Sequence, residues 1–174
     1  NENWLIACAG AAGPALEGGV SKIGAMAGPG IIDRVAIDPK THAFHIHAIE
    51  DEPPRGICGS GFIDLAAQLF LRGMIDIRGK LVPEACGNRF QEIRGEPRLV
   101  IAPAAESATG EDLTIGQADL DSLIRSKAAM YTILETLTGT VGVAFPDISR
   151  FYVAGTFGVF IDPDSAIAIG MIPD

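Results

Sequence analysis

Cysteine is scarce in this chain of 174 residues, and the three present (Cys8, Cys58 and Cys86) stand far apart with no C-x-x-C pair. So few scattered thiols supply no disulfide framework, zinc knuckle or iron–sulfur spacing; they read as free buried thiols of a cytosolic protein. Basic residues are also short, 13 Lys+Arg against 22 Asp+Glu, which leaves a formal net charge of -9. With only 6% aromatics, such a surface lacks both the positive footprint and the stacking platforms that nucleic acids require. Long hydrophobic runs are missing too. The longest, Trp4 to Ala15, is broken by Gly10, Gly13 and Pro14 and falls well short of the roughly 20 residues that span a bilayer. No initiating Met and no basic segment precede Trp4, so the run does not read as a signal peptide; the chain reads as a piece of a longer protein cut close to a strand.

What is abundant is small and apolar: 48% hydrophobic residues and 21 glycines. That composition excludes intrinsic disorder, and the length suits one domain or one lobe. Trp4–Ala9 reads as a buried strand, followed by a Gly-rich stretch through Gly30. Residues 31–49 read as a hairpin turning at Asp38-Pro39-Lys40. Its second arm alternates His42, Phe44, Ile46 and Ala48 on one face with Ala43, His45 and His47 on the other. Ser60 is expected to cap a helix carrying Phe62, Leu65, Ala66, Leu69 and Phe70, closed by Gly73. Residues 74–98 read as irregular with a turn at Arg78-Gly79-Lys80, and Leu99–Ala102 as a buried strand. A long helix opens with either Thr114/Gln117 or Gly116/Asp119. It carries Leu120, Leu123, Ile124, Met130, Tyr131, Leu134 and Leu137 as a stripe and ends at Gly139. Phe151–Ala154 reads as a last buried strand running into Gly155-Thr156-Phe157-Gly158, after which Asp162 and Pro163 open a short helix. Strands alternating with helices, with connections long enough for parallel pairing, give the α/β class.

Several constellations could carry chemistry. Gly155, Thr156 and Gly158 follow a strand, where bare backbone can meet a ligand or simply make a tight turn. Gly59 and Ser60 lie where a helix N-terminus offers N–H donors to an anion, or is merely packed closely. Lys127 falls on the apolar stripe of the long helix, to reach water or to point into a cleft. Glu17, beside Gly18, sets one carboxylate in a Gly-rich stretch, suited to Mg²⁺ through water, to a nucleophile, or to a local hydrogen bond. His45 and His47 share a strand face without further ligands nearby, which favours a solvated face over zinc. No G-x-G-x-x-G, P-loop or G-x-S-x-G is present.

Five strings occur here in one order: Ala11-Ala12-Gly13-Pro14-Ala15-Leu16-Glu17-Gly18, Gly56 to Asp64, Ser126-Lys127-Ala128-Ala129, Val153 to Gly158, and Asp162 to Gly170. Together they resemble the C-terminal part of the ferredoxin-linked reductive activators of corrinoid proteins, over nearly the whole chain. That part belongs to the superfamily of acetate and sugar kinases, heat-shock chaperones and actin (ASKHA). The resemblance implies a ribonuclease-H-like lobe, with a mixed sheet, helices on its faces and a hairpin insertion, and residues 1–174 as the second lobe of the ATP-binding domain. It implies ATP and Mg in the intact protein, with a 2Fe–2S cluster in a ferredoxin domain outside this chain. The implied activity is ATP-driven return of cob(II)alamin to cob(I)alamin in a corrinoid protein or corrinoid-dependent methyltransferase, in the cytoplasm, with a homodimer as a further possibility.

By position, the resemblance makes Gly155, Thr156 and Gly158 the adenosine motif, although Thr156 departs from the commoner second glycine. It places Lys127 beside the cleft and Glu17 and Gly18 near the phosphates. No Asp-x-Gly-Thr phosphate motif occurs in these residues. Without those carboxylates the chain alone is not expected to hydrolyse ATP. Two rivals follow from the same residues: a docking or dimerisation module with a degenerate nucleotide site, and a metabolite kinase of the superfamily.

Overall fold

The computed structural model describes residues 5–9 and 21–174. Two three-stranded sheets share one hydrophobic core. The first is the hairpin read from the sequence. Strand β1 (Ile31–Ile37) pairs antiparallel with β2 (Phe44–Ala48), and β3 (Gly56–Ile57) adds to the other side of β1 in parallel. The Asp38 carboxylate closes the turn by accepting from the backbone N–H of Lys40 and Thr41, at 2.9 and 2.7 Å. Alternation along β1 buries Val35 and Ile37, which pair with Ile46 and Phe44. His42 is not part of the strand: it sits in the turn at φ 55°.

Helix α1 (Gly59–Leu71) lies against β1. Phe62, Leu65 and Leu69 are fully buried, as the spacing requires, and Phe70 lies on the exposed side. Burial of each such side chain contributes about 1.5–3 kcal/mol. The cap differs from expectation. Cys58 is the N-cap, and Ser60 lies inside the first turn, buried, with its hydroxyl 3.2 Å from Cys58 Sγ. The reason is steric. A Cβ on Gly61 would stand 2.4 Å from the Ile32 carbonyl oxygen, so the first turn of the helix lies with its backbone against β1 and Ser60 is buried there. At the other end, the N–H groups of Gly73 and Met74 return to the carbonyls of Phe70 and Leu69, which stops the helix at the expected glycine.

Residues 74–98 are more regular than the sequence suggests. They hold a short helix α2 (Pro83–Cys86) and strand β4 (Phe90–Ile93). β4 pairs antiparallel with β5 (Glu96–Ala102), which pairs antiparallel with β6 (Leu113–Gly116). Among the described strands only β1 and β3 run parallel, so the long connections expected to carry parallel crossovers mostly do not. Leu99, Ile101 and Ile115 join Ile32, Ile57 and Phe62 in a single core. Arg89 clasps the two sheets. Its guanidinium donates to the carbonyls of Val100 and Ile101, each at 3.0 Å, and lies 4.2 Å from the ring centroid of Phe44 on β2.

Helix α3 (Gln117–Thr140) opens at Gly116, whose N–H donates to Asp119 Oδ2 at 2.8 Å. The Thr114/Gln117 pair is not the cap. Thr114 belongs to β6, and Gln117 spends its amide on Leu81 N–H and the Gly79 carbonyl. Leu120 and Leu123 are buried; further along, Ile124, Met130, Tyr131, Leu134 and Leu137 are half-buried. The helix runs past Gly139 and ends at Val141, where Gly142 and Val143 donate back to Gly139 and Thr138.

Two expected buried strands are not strands. Leu5–Ala9 forms no ladder among the described residues and is largely exposed, and its Cys8 is exposed rather than buried. Phe151–Ala154 forms no ladder among the described residues, and Tyr152 is 73% exposed. A strand is buried by the chain beside it, and neither run has a described neighbour to pair with. Helix α4 (Thr156–Phe160) follows, then α5 (Pro163–Ala168), capped as expected by Asp162, whose Oδ1 accepts from Ser165 N–H at 2.8 Å. α5 packs on α1 and sends Ala166 into the core.

Candidate functional site

The chain reaches Gly155 by way of an aromatic ladder. Tyr131 of α3 meets Phe145 edge-on at 5.4 Å between centroids, and Phe145 stacks obliquely on Phe151 at 6.3 Å. This fixes the stretch leading to Gly155 against the long helix. Gly155 itself has φ 99°, is exposed, and has open space where a side chain would stand. A β-branched residue does not adopt that backbone without strain, so glycine is required here by conformation. Gly158 is required by contact: a Cβ there would lie 2.7 Å from the Val153 carbonyl oxygen. Thr156 is the first residue of α4. Gly155 therefore presents bare backbone to solvent immediately before α4.

Lys127 is half-buried on α3, on the side that meets the C-terminal end of α5. A Cβ built on Gly170 would be 3.2 Å from its ammonium, so Gly170 makes room for it. Among the described residues no hydrogen bond or ion pair holds that ammonium. Structure thus joins two of the strings that the sequence kept 43 positions apart, those around Lys127 and Gly170. Gly59 and Ser60 are buried in the first turn of α1. Glu17 and Gly18 lie outside the described residues.

His45 and His47 are exposed on the outer face of β2. His47 Nδ1 is 2.6 Å from Asp33 Oδ1, and that hydrogen bond, with the carboxylate's charge, holds the imidazole above its ordinary range. Among the described residues no three ligating side chains converge as a metal site. Sequence reasoning passed over Asp64. It is the lone charged residue of α1 and is buried, with one carboxyl oxygen unpartnered; burial, opposed by hydrogen bonds from Ser165 and Val35, pushes the carboxyl above the usual range. An acidic residue inside Phe62-Ile63-Asp64-Leu65-Ala66 was the available signal.

The profile of the family described as the C-terminal domain of RACo, the ASKHA domain, matches residues 1–174. The chain belongs to this family. A curated relative, the corrinoid activation enzyme RamQ of Eubacterium limosum, is 33% identical over 170 residues, covering 94% of the chain and 28% of that protein. A solved structure, titled "Reductive activator for corrinoid,iron-sulfur protein", superposes with a TM-score of 0.89 at 39% identity, covering 100% of the chain and 28% of its own. The ASKHA domain described here thus spans little more than a quarter of each relative's length. Its two sheets with helices packed against them are the α/β architecture expected of that superfamily. Among the described residues no helix is long and apolar enough to cross a membrane.

Proposed function

We propose that this ASKHA domain is the nucleotide-binding part of a cytoplasmic, ATP-dependent reductive activator that returns a corrinoid protein from cob(II)alamin to cob(I)alamin. The observation that carries the reading is the corner at Gly155 to Gly158. Two independent constraints, a φ of 99° at Gly155 and a 2.7 Å approach at Gly158, reserve both ends for glycine, and Gly155 is exposed. Without a side chain at such a turn, backbone can approach a ligand closely. Lys127, unpaired among the described residues and half-buried, supplies a cation for the same ligand. The relatives' names supply the corrinoid protein as partner.

Residues 1–174 act in this reading as the second lobe of a two-lobed site. On this reading Glu17 and Gly18 are the residues assigned to the phosphates and their Mg. The iron–sulfur centre does not fit here: Cys8 is exposed, Cys58 and Cys86 are buried, and no three ligands converge among the described residues. Electron transfer therefore starts outside this chain. Coupling is a population shift: ATP favours the closed lobes only by as much as it binds them better than the open ones, about 1.4 kcal/mol for each tenfold.

The test uses the full-length protein. Reduction of its corrinoid partner is followed optically with and without ATP, for the natural protein and for Gly155→Val. ATP is expected to accelerate reduction, and the variant is expected to lose that acceleration together with nucleotide binding. Equal rates with and without ATP in the natural protein would overturn the reading.

A further inference from the structure

Asp64 points to a second site, independent of the nucleotide reading. The residue is 5% exposed. Removing a carboxyl from water is costly unless both its oxygens find partners. Ser165 and the Val35 backbone reach the group, yet Oδ1 has no partner among the described residues. Asp64 lines a cleft of about 270 Å³ between α1 and α5. Ser165 lies beside it, buried; Asp162 and Asp164 stand toward the mouth; Val35 and Leu71 form apolar walls.

We propose that this cleft receives an alkylammonium group, the end of a lysine side chain presented by a partner protein. Size argues first. The cleft is smaller than the roughly 300–1,000 Å³ of small-molecule sites and suits a single side chain. Polarity follows: a methylene stem matches Val35 and Leu71, and a cation matches the carboxyls. The choice of cation comes from counting acceptors. Asp162 is already committed to Arg34, at 3.6 Å, and to Ser165 N–H, at 2.8 Å. Asp64 has one unpartnered oxygen, Oδ1, with almost no exposed surface of its own, which admits a slim donor and not a fork. A guanidinium fork wants both oxygens of one carboxylate, whereas an ammonium is a point donor that one oxygen satisfies. A bare metal ion is disfavoured because Asp64, Asp162 and Asp164 do not converge as a ligand set. The carboxyls of Asp64, Asp162 and Asp164 gathered at the cleft draw a basic group toward this face.

Calorimetry on the full-length protein tests the site with Nα-acetyl-lysine methylamide, set against its norleucine and arginine counterparts and against putrescine. The lysine probe is expected to bind saturably, with the norleucine probe and the Asp64→Asn variant each at least about tenfold weaker, the loss of one charge-assisted hydrogen bond. Asp164→Asn, at an exposed position in the first turn of α5, is expected to weaken it about threefold, as for a partly screened charge. Equal binding of the norleucine probe, or an undiminished Asp64→Asn, removes the site. Tighter binding of the arginine probe refutes the choice of cation, and tighter binding of putrescine refutes the partner-protein source.

Discussion

Asp33 and His47 face each other across the β1–β2 hairpin, with 2.6 Å between carboxylate oxygen and imidazole nitrogen. The carboxylate raises the folded-state pKa of His47 above its ordinary 6.5. Stability from this pair is therefore fully present below pH 6.5 and lost as pH rises through the raised value. Both side chains touch solvent, that of His47 being 54% exposed, so screening keeps the effect small. The expected difference in Tm between pH 6 and pH 8.5 is about 1–2 °C more for the natural chain than for His47→Gln. Thermal melts at the two pH values check it, and parallel behaviour of the two proteins would refute it.

Gly61 has no room for a methyl group. Its Cβ would meet the Ile32 carbonyl at 2.4 Å and Ile57 at 2.8 Å, and the first contact is backbone that cannot step aside. Gly61→Ala is expected to cost about 3 kcal/mol, at the upper end of overpacking. Gly139→Ala, where nothing lies within 4 Å of the added carbon, is expected to stabilise α3 by up to about 1 kcal/mol. Urea titrations of both variants give the comparison.

Thiol reactivity separates the three cysteines. Cys8 is exposed, and Cys58 and Cys86 are buried. Burial pushes the Cys86 thiol up to about 11, and its S–H donates to the Met74 carbonyl at 3.4 Å. Brief alkylation at pH 8 should therefore modify Cys8 and spare Cys86, with both buried thiols reacting only after denaturation. Peptide mass spectrometry reads the sites; early modification of Cys86 would contradict the packing around α2.

Lys127 gives a test of the nucleotide reading that stability does not confound. Because its ammonium has no hydrogen bond or ion pair among the described residues, Lys127→Met removes the charge and keeps most of the stem. In the full-length protein the variant is expected to weaken ATP binding about tenfold with Tm unchanged, the worth of one charge-assisted contact. A fluorescent ATP analogue measures the first and calorimetry the second. Unaltered affinity would place Lys127 outside the site.

Much of this was legible in the residues, and the failures share a cause. The β1–β2 hairpin, the Gly73 stop and the Asp162 cap were readable because each is set by neighbours within a few positions. β4 was not, since Phe90-Gln91-Glu92-Ile93 alternates weakly and owes its strand to β5. β6 was hidden by a coincidence of spacing: Thr114 and Gln117 mimic the cap that Gly116 and Asp119 make. Trp4–Ala9 and Phe151–Ala154 look buried by composition, but burial depends on what lies alongside, which a local pattern does not contain. At the candidate site, Gly155 and Gly158 were visible as motif residues. Asp64 was not, because its helix reads as plain core.

The clasp made by Arg89 has a mechanical corollary. Its guanidinium grips β5 through two carbonyls and covers Phe44 of β2, so the sheets are stapled at a point where neither can slide without stripping a cation from an aromatic ring. A shift of β5 must then either carry Phe44 along with it or break this grip.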